Sequence, residues 1–206
     1  MSGNEKEIAG VFWKNTKTYP DYGNIKNRRL YELNYLVPNL EGKTLLDLGC
    51  GDGALTNCLL NLTEFEKFYA YDLSEQLLSN VHPLAITKVF DCYKDDFNEL
   101  PKVDCVIIGG MIQYIFEDNI LEELFSSLKT KKIFVRSTCS NNERQIINTF
   151  SEKLNSNYSS IYRTTDEVVN LMSKHFEIES VDRIYPDEIE SLFGTKQYYF
   201  KGVSQS

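Results

Sequence analysis

The chain has 206 residues, 42% of them hydrophobic and 13% aromatic, enough apolar side chain for one packed core, which excludes disorder as its overall state. A formal charge of −8 at pH 7 repels phosphate backbones, and the basic clusters (Lys26, Arg28 and Arg29; Lys129, Lys131 and Lys132) are short, so no nucleic-acid partner is expected. No apolar run approaches the ~18 residues of a membrane span, and MSGNEKEIAG lacks the basic-then-apolar layout of a signal peptide.

Cys50, Cys58, Cys92, Cys105 and Cys139 form no C-x-x-C pair, and most sit in or beside apolar runs. They read as small hydrophobes in a reducing, cytoplasmic setting, with no disulfide framework and no metal site. The first 40 residues, aromatic and mixed in charge, predict two helices. The second covers about residues 24–37, with Leu30, Leu33, Tyr35, Leu36 and Val37 as apolar positions and Pro38 as its stop. Strand and helix patterns then alternate. Thr44–Leu48 is an apolar run, Ala54–Leu62 is helical, and 67–71 is a second strand ending at Asp72. Ser74 is an N-cap, with Glu75 in the first turn. Strands are expected near 86–92, at 103–108 and at 132–136, with a helix over 119–128. Thr165 or Asp166 is expected to cap a helix reaching about His175, before strands at 176–184 and 197–203. This order predicts a doubly wound α/β fold: a seven-stranded, mostly parallel sheet with helices on both faces. The connection 185–195 is too short for an easy helical crossover, so the last strand is expected to run antiparallel. The whole reads as one compact unit, with an N-terminal helical cap at 1–40 and a ligand-binding domain at 41–206.

The most informative segment is Leu48-Gly49-Cys50-Gly51-Asp52-Gly53, directly after the first strand. Alternate glycines let the chain turn tightly and let its backbone approach a ligand, whose polar groups the next helix's amides can receive. In an open α/β sheet the ligand lies beyond the carboxyl ends of the strands. Asp72, at such an end, can accept both hydroxyls of a ribose. Gly49-x-Gly51-x-x-Ala54 with Asp72 formally satisfies the dinucleotide pattern. A pyrophosphate, however, would be repelled by Asp47 and Asp52, whereas Asp47 can help to hold an ammonium.

The segment resembles the first motif of class I S-adenosylmethionine-dependent methyltransferases, (D/E)-x-G-x-G-x-G, with Asp47, Gly49, Gly51 and Gly53 in its four places. The resemblance continues in order and spacing over about residues 40–203. Tyr71-Asp72-Leu73-Ser74 looks like the second motif, which implies that Asp72 binds the ribose with Leu73 beside it. Lys94-Asp95-Asp96-Phe97 looks like the third. It implies that Asp96, with Asp95 as the alternative, meets the adenine amino group while the Phe97 amide meets the ring. Residues 103–115 look like the fourth, which implies Met111 against the adenine and Gln113 and Tyr114 at the methyl-transfer site. Packing or a surface role is the competing reading of that last pair. The implied cofactor is S-adenosylmethionine, and the implied activity is methyl transfer.

Departures from the family's other patterns narrow the acceptor. Gly109-Gly110-Met111-Ile112 stands where amino-methylating DNA enzymes carry Asp-Pro-Pro-Tyr or Asn-Pro-Pro-Tyr. No Pro-Cys follows that strand, which removes the covalent route to C5 of cytosine, and no paired acids suit a catechol-binding metal. His82 and His175 read as structural. The expectation is a small-molecule acceptor methylated at oxygen, anionic (phosphate, carboxylate or sugar-derived), and held by Arg28 or Arg29 with Arg136. Surface ion pairs are the alternative role for these arginines. The N-terminal segment, with Trp13, Lys14, Tyr19 and Tyr22, is the expected lid and acceptor pocket. A non-catalytic cofactor-binding subunit is the alternative from another class, and an NAD-dependent oxidoreductase is a further one. The sequence sets no oligomeric state.

Overall fold

Strand β1 (Thr44–Leu48) lies inside the sheet because both its faces are apolar: Leu45 joins one core cluster, Leu46 and Leu48 the other. The computed structural model describes residues 4–17, 25–152, 155–188, 190 and 194–205, with residues 25 and 26 described by backbone alone. β1 pairs parallel with β2 (Lys67–Asp72) and β4 (Val103–Gly109). β3 (Ala85–Val89) extends the sheet beyond β2, and β5 (Thr130–Ser140) beyond β4, both parallel. β9 (Thr195–Ser204) is antiparallel to β5 and to β8 (Phe176–Asp182), which completes the order β3-β2-β1-β4-β5-β9-β8. The sheet is doubly wound, with the expected antiparallel last strand.

Successive side chains alternate across a strand, so each strand feeds both faces. On one face Leu46, Val106 and Ile133 meet α5 (Asp118–Ser127) through Leu121 and Phe125, and α6 (Thr165–Met172) through Val168 and Met172. On the other, Leu45, Phe68 and Ile107 meet α2 (Ile25–Leu36) through Leu36 and α3 (Ala54–Leu62) through Leu55 and Leu59. The short α4 (Glu75–Leu78) adds Leu78 there. Helix α1 (Glu5–Asn15) joins neither face. Its Ala9 packs with Phe116 and Ile161 in a third, smaller cluster, and its Phe12 meets Tyr158 edge to face at 5.3 Å. The two N-terminal helices therefore rest on different partners.

Several expectations shift. The third strand ends at Val89 rather than residue 92, because its register against β2 stops at Asp72↔Val89, and Phe90 turns into the core. The fifth strand runs to Ser140, four residues past the expected end, because β9 pairs with it from Lys132 to Ser140. Helix α6 is capped by Thr164, not Thr165 or Asp166. Its Oγ1 accepts from Glu167 N (3.2 Å) and its own N donates to Glu167 Oε2 (2.9 Å), a capping box, and the helix ends at Met172. An antiparallel hairpin of β6 (Gln145–Ser151) and β7 (Ser156–Tyr162) was not expected at all. β6 is mostly exposed, so it shows no half-buried alternation for a sequence reading to detect.

Candidate active site

Past Leu48 the chain turns on glycines at positive φ. At Gly49 φ is +77°, and a Cβ there would lie 2.8 Å from Met111 Cβ; at Gly53 φ is +72°, and a Cβ would lie 2.7 Å from Val81 Cγ2. Gly49 N and Cys50 N donate to Tyr71 O at 2.8 and 3.2 Å, tying the loop to the end of β2. Asp72 holds it further: Oδ2 accepts from Gly51 N (2.8 Å) and Oδ1 from Ser74 N (2.9 Å). Burial pushes the Asp72 carboxyl pKa up, against the pull of those amides. Each oxygen keeps a lone pair beyond its amide.

Above the loop lies a cavity of about 580 Å³, within the size range of small-ligand sites. Gly49, Gly51, Asp72, Leu73 and Met111 line it, together with Tyr114, and α1 roofs it with Trp13 and Lys14. Tyr114 Oη lies 3.2 Å from Tyr158 Oη on the unexpected hairpin, and its ring meets Trp13 edge to face at 5.0 Å. Gln113 is buried and off the wall, its Nε2 3.5 Å from Tyr114 Oη. Asp47 is buried beneath the loop, where Thr56 Oγ1 donates to its Oδ2 at 2.6 Å. Burial pushes its pKa up to about 6, with Thr56 and Arg29 opposing and Asp72 and Glu32 adding to the rise.

Asp96 and Phe97 do not line the cavity. Asp96 is exposed and accepts from Asn98 N (2.8 Å) and Nδ2 (2.9 Å), while the Phe97 ring packs 6.1 Å from Phe90 in the core. Asp95 is also off the wall, its Oδ2 accepting from Asp91 N at 2.7 Å. The acid that this stretch puts on the wall is Asp91, followed by Cys92. Since β3 stops at Val89, the chain passes the cavity at 90–94. The available signal was that Asp91 is the first acid after the apolar run.

The arginines expected at an acceptor also lie elsewhere. Arg29 and Arg136 converge on Glu32, a buried residue the sequence reading missed: Arg29 Nη1 is 2.7 Å from Oε2 and Arg136 Nε 3.0 Å from Oε1. Arg136 also donates to Gln197 Oε1 (2.7 Å) and Gly109 O (3.1 Å), and Arg28 stands 6.0 Å over the Tyr185 ring. None of the three lines the large cavity; Arg29 and Arg136 border a second one of about 40 Å³ behind the glycine loop. Glu32 of α2 takes both: with Arg29 it makes an i,i+3 pair on its own helix, whereas Arg136 on β5 reaches it only through tertiary packing. Tyr19 and Tyr22 fall outside the described residues.

The sequence matches the methyltransferase-domain family over residues 39–193, more than half of the chain. The chain belongs to that family. This methyltransferase has the class I fold expected from its motifs, and solved structures share it at low identity. An S-adenosylmethionine-dependent methyltransferase from Clostridium acetobutylicum is 16% identical, covering 90% of this chain and 94% of that one, with a TM-score of 0.61. DhpI in complex with SAM and HEP is 14% identical, covering 98% and 99%, with a TM-score of 0.73. A Haloferax volcanii chain bound to the Trm112 methyltransferase activator is 15% identical, covering 89% and 93%, with a TM-score of 0.60. No curated protein sequence matches it.

The residues present fit S-adenosylmethionine. A side chain at Gly49 would fill the cradle beside Met111, and Asp72 offers a carboxylate at the strand end. The thiols nearby add no nucleophile, since burial pushes Cys92 up to about 12 and Cys50 higher still. Among the described residues no group of His, Cys, Asp and Glu could hold a metal ion, and no helix is long and apolar enough to cross a membrane.

Proposed function

We propose that this methyltransferase moves a methyl group from S-adenosylmethionine to an oxygen of a small anionic acceptor held beneath α1. The observation that carries the reading is one cavity with the glycine loop and Asp72 at one end and Trp13, Lys14 and Tyr114 also on its wall. When bound, S-adenosylmethionine supplies an activated sulfonium methyl. The chain's own work is then to align an acceptor lone pair and to exclude water. Gly49, Gly51 and Gly53 allow close backbone approach, Asp72 accepts from the ribose hydroxyls beside Leu73, and Asp91, in place of Asp96, accepts from the adenine amino group. The Cys92 amide takes the ring contact in place of Phe97, and Met111 packs on the base. Asp47, braced by Thr56, attracts the ammonium.

Tyr114, backed by Gln113 and Tyr158, borders the acceptor. Of the lysines on the wall, Lys6 pairs with Glu117 at 2.9 Å and Lys94 with Asp91 at 2.7 Å, whereas Lys14 has no carboxylate partner among the described residues. Lys14 is therefore the cation assigned to the acceptor, in place of Arg28, Arg29 and Arg136. No histidine stands on the wall, in keeping with an anionic oxygen that needs no base. The DhpI complex, with SAM and HEP together, is consistent with a second ligand beside the donor in this fold.

The test is methyl transfer by the isolated chain to phosphorylated, carboxylated and sugar-derived acceptors. Turnover by the chain alone separates catalysis from a non-catalytic or activator-dependent role. Tyr114→Phe should lower kcat on the order of 10²-fold while leaving S-adenosylhomocysteine affinity unchanged. Turnover confined to neutral acceptors would remove the anionic part of the reading.

The pKa of Asp47 gives a second expectation. Above pH 6 its carboxylate is charged and attracts an ammonium; as pH falls through about 6 it takes a proton and the attraction goes. Calorimetric affinity for S-adenosylhomocysteine should therefore fall between pH 7.5 and pH 5, and Asp47→Asn should flatten the profile. An equally steep profile in the variant would assign the dependence to another group.

A further inference from the structure

Helix α1 carries Gly10 at its centre, where glycine is a poor helix former and alanine a better one. A glycine is usually required for one of two reasons: a positive φ, or the close approach of another part of the chain. Gly49 and Gly53 show both. Gly10 shows neither. Its φ is not positive, and among the described residues a Cβ there would meet no atom within 4 Å. What the missing side chain leaves is space.

That space belongs to the large cavity. On a helix, residues three and four positions apart share a face. For Gly10 these are Lys6, Glu7, Trp13 and Lys14, and all four line the cavity, as Gly10 does. Phe12 packs instead against Tyr158, and with Ala9 it holds the helix to the protein. A bare strip of helix backbone therefore stands in the roof, one turn from the Trp13 ring and the Lys14 ammonium. Its N–H and C=O are bonded within the helix, so it offers a ligand a flat van der Waals surface rather than a hydrogen bond. The Trp13 ring, edge to face with Tyr114 at 5.0 Å, adds aromatic surface beside it. Glu7 and Lys14, seven residues or roughly 10 Å of helix apart, give the roof a direction: an anion lies toward Lys14.

We propose that Gly10 is a specificity-determining residue: its missing side chain leaves a notch in the roof that takes the flat body of an aromatic carboxylate, the acceptor, whose charge lies at Lys14. This rests on the reading of an anionic acceptor beneath α1 and narrows it. A ring meets the bare backbone together with Trp13 and Tyr114, in contacts that aromatic pairs favour. A compact phosphate or an open-chain carboxylate reaches Lys14 but leaves the notch to water.

Turnover of matched acceptors tests it. 4-Hydroxybenzoate and 4-hydroxycinnamate carry a ring; glycolate and lactate carry the same carboxylate and hydroxyl without one. The parent should favour the ring-bearing pair by about tenfold or more in kcat/KM. One carbon more in a filled pocket lowers kcat/KM by about tenfold to 200-fold, so Gly10→Ala should cost the ring-bearing pair about tenfold, through KM. Gly10→Leu should cost it more than about 100-fold and erase the preference. S-adenosylhomocysteine affinity should hold in both variants. Tm should stay level or rise, because alanine and leucine are better helix formers than glycine. Undiminished turnover of the ring-bearing pair by Gly10→Leu overturns the notch. Equal losses in Gly10→Ala and Gly10→Leu assign the glycine to helix flexibility, and a parallel loss of S-adenosylhomocysteine affinity assigns it to the donor; each also overturns the proposal. A parent that methylates other anionic acceptors but no aromatic carboxylate overturns the notch and leaves the anionic reading standing. A parent that methylates no anionic acceptor overturns that reading, and the notch with it.

Discussion

Asp72→Ala should weaken S-adenosylhomocysteine binding by about 100-fold or more, since two hydrogen bonds to a charged carboxylate are lost together. Asp72 stands at the end of β2, lines the cavity and already anchors Gly51 N and Ser74 N. Its removal takes away the ribose acceptor and loosens the loop that the ligand's other end touches. Asp72→Asn keeps an acceptor oxygen but loses the charge, so its affinity should lie between. The free protein should be disturbed much less. Burial raises the Asp72 pKa, so the charged form is held at a cost to the empty fold, as is common where a group serves binding rather than stability. Calorimetry for affinity and thermal unfolding for stability check both halves. An affinity within about threefold of the parent, well short of what even one such bond supplies, would remove Asp72 from the site.

Arg163→Met should damage the fold itself far more than a substitution at Asp72. Arg163 is 1% exposed at the foot of the hairpin. Its Nε donates to Asp118 Oδ1 (2.8 Å), Nη1 to Ile112 O (3.2 Å), and Nη2 to Ile115 O (2.8 Å) and Phe116 O (3.3 Å). Methionine fills similar space but leaves three buried carbonyls and a carboxylate short of donors. Each buried carbonyl left without its donor costs about 1–3 kcal/mol, so the total is on the order of 3–5 kcal/mol, and Tm should fall by roughly 10 °C for a domain of this size. The carbonyls belong to the segment carrying Gln113 and Tyr114, so kcat should fall as well. Arg144 pairs with the same Asp118 from a half-exposed position, and Arg144→Met should cost about 1 kcal/mol or less. Urea unfolding of both variants settles the contrast, and equal losses would show that the burial of Arg163 does not matter.

The glycine loop and Asp72 were legible because their constraints are local. A tight turn off a strand needs glycine at positive φ whatever packs around it, and Gly49, Gly51 and Gly53 all adopt it. Continuous apolar runs at β1 and β4 likewise announced buried parallel strands before any pairing was known. That Asp91 and not Asp96 lines the cavity was not legible, because the end of β3 is set by its register with β2, not by its own composition; both are plausible turn residues in sequence. The hairpin, and with it the Tyr158 hydroxyl beside Tyr114, was missed because β6 leaves even Ile146 and Phe150 exposed, with no buried face to set a period.

By itself, then, the sequence determined the α/β class, the course of the central strands, the antiparallel end of the sheet and the glycine loop. All of these follow from backbone sterics and from the spacing of apolar side chains over a few residues. Only the tertiary structure decided which charges face the cavities. Arg136 on β5 has the chemistry of an acceptor ligand, but α2 brings Glu32 to it, while Lys14 is left facing the large cavity. The partner of a charge is whatever the packing of distant elements brings within a few ångströms. In a poorly solvated interior that neighbour outweighs any preference written in the residue's own stretch of chain.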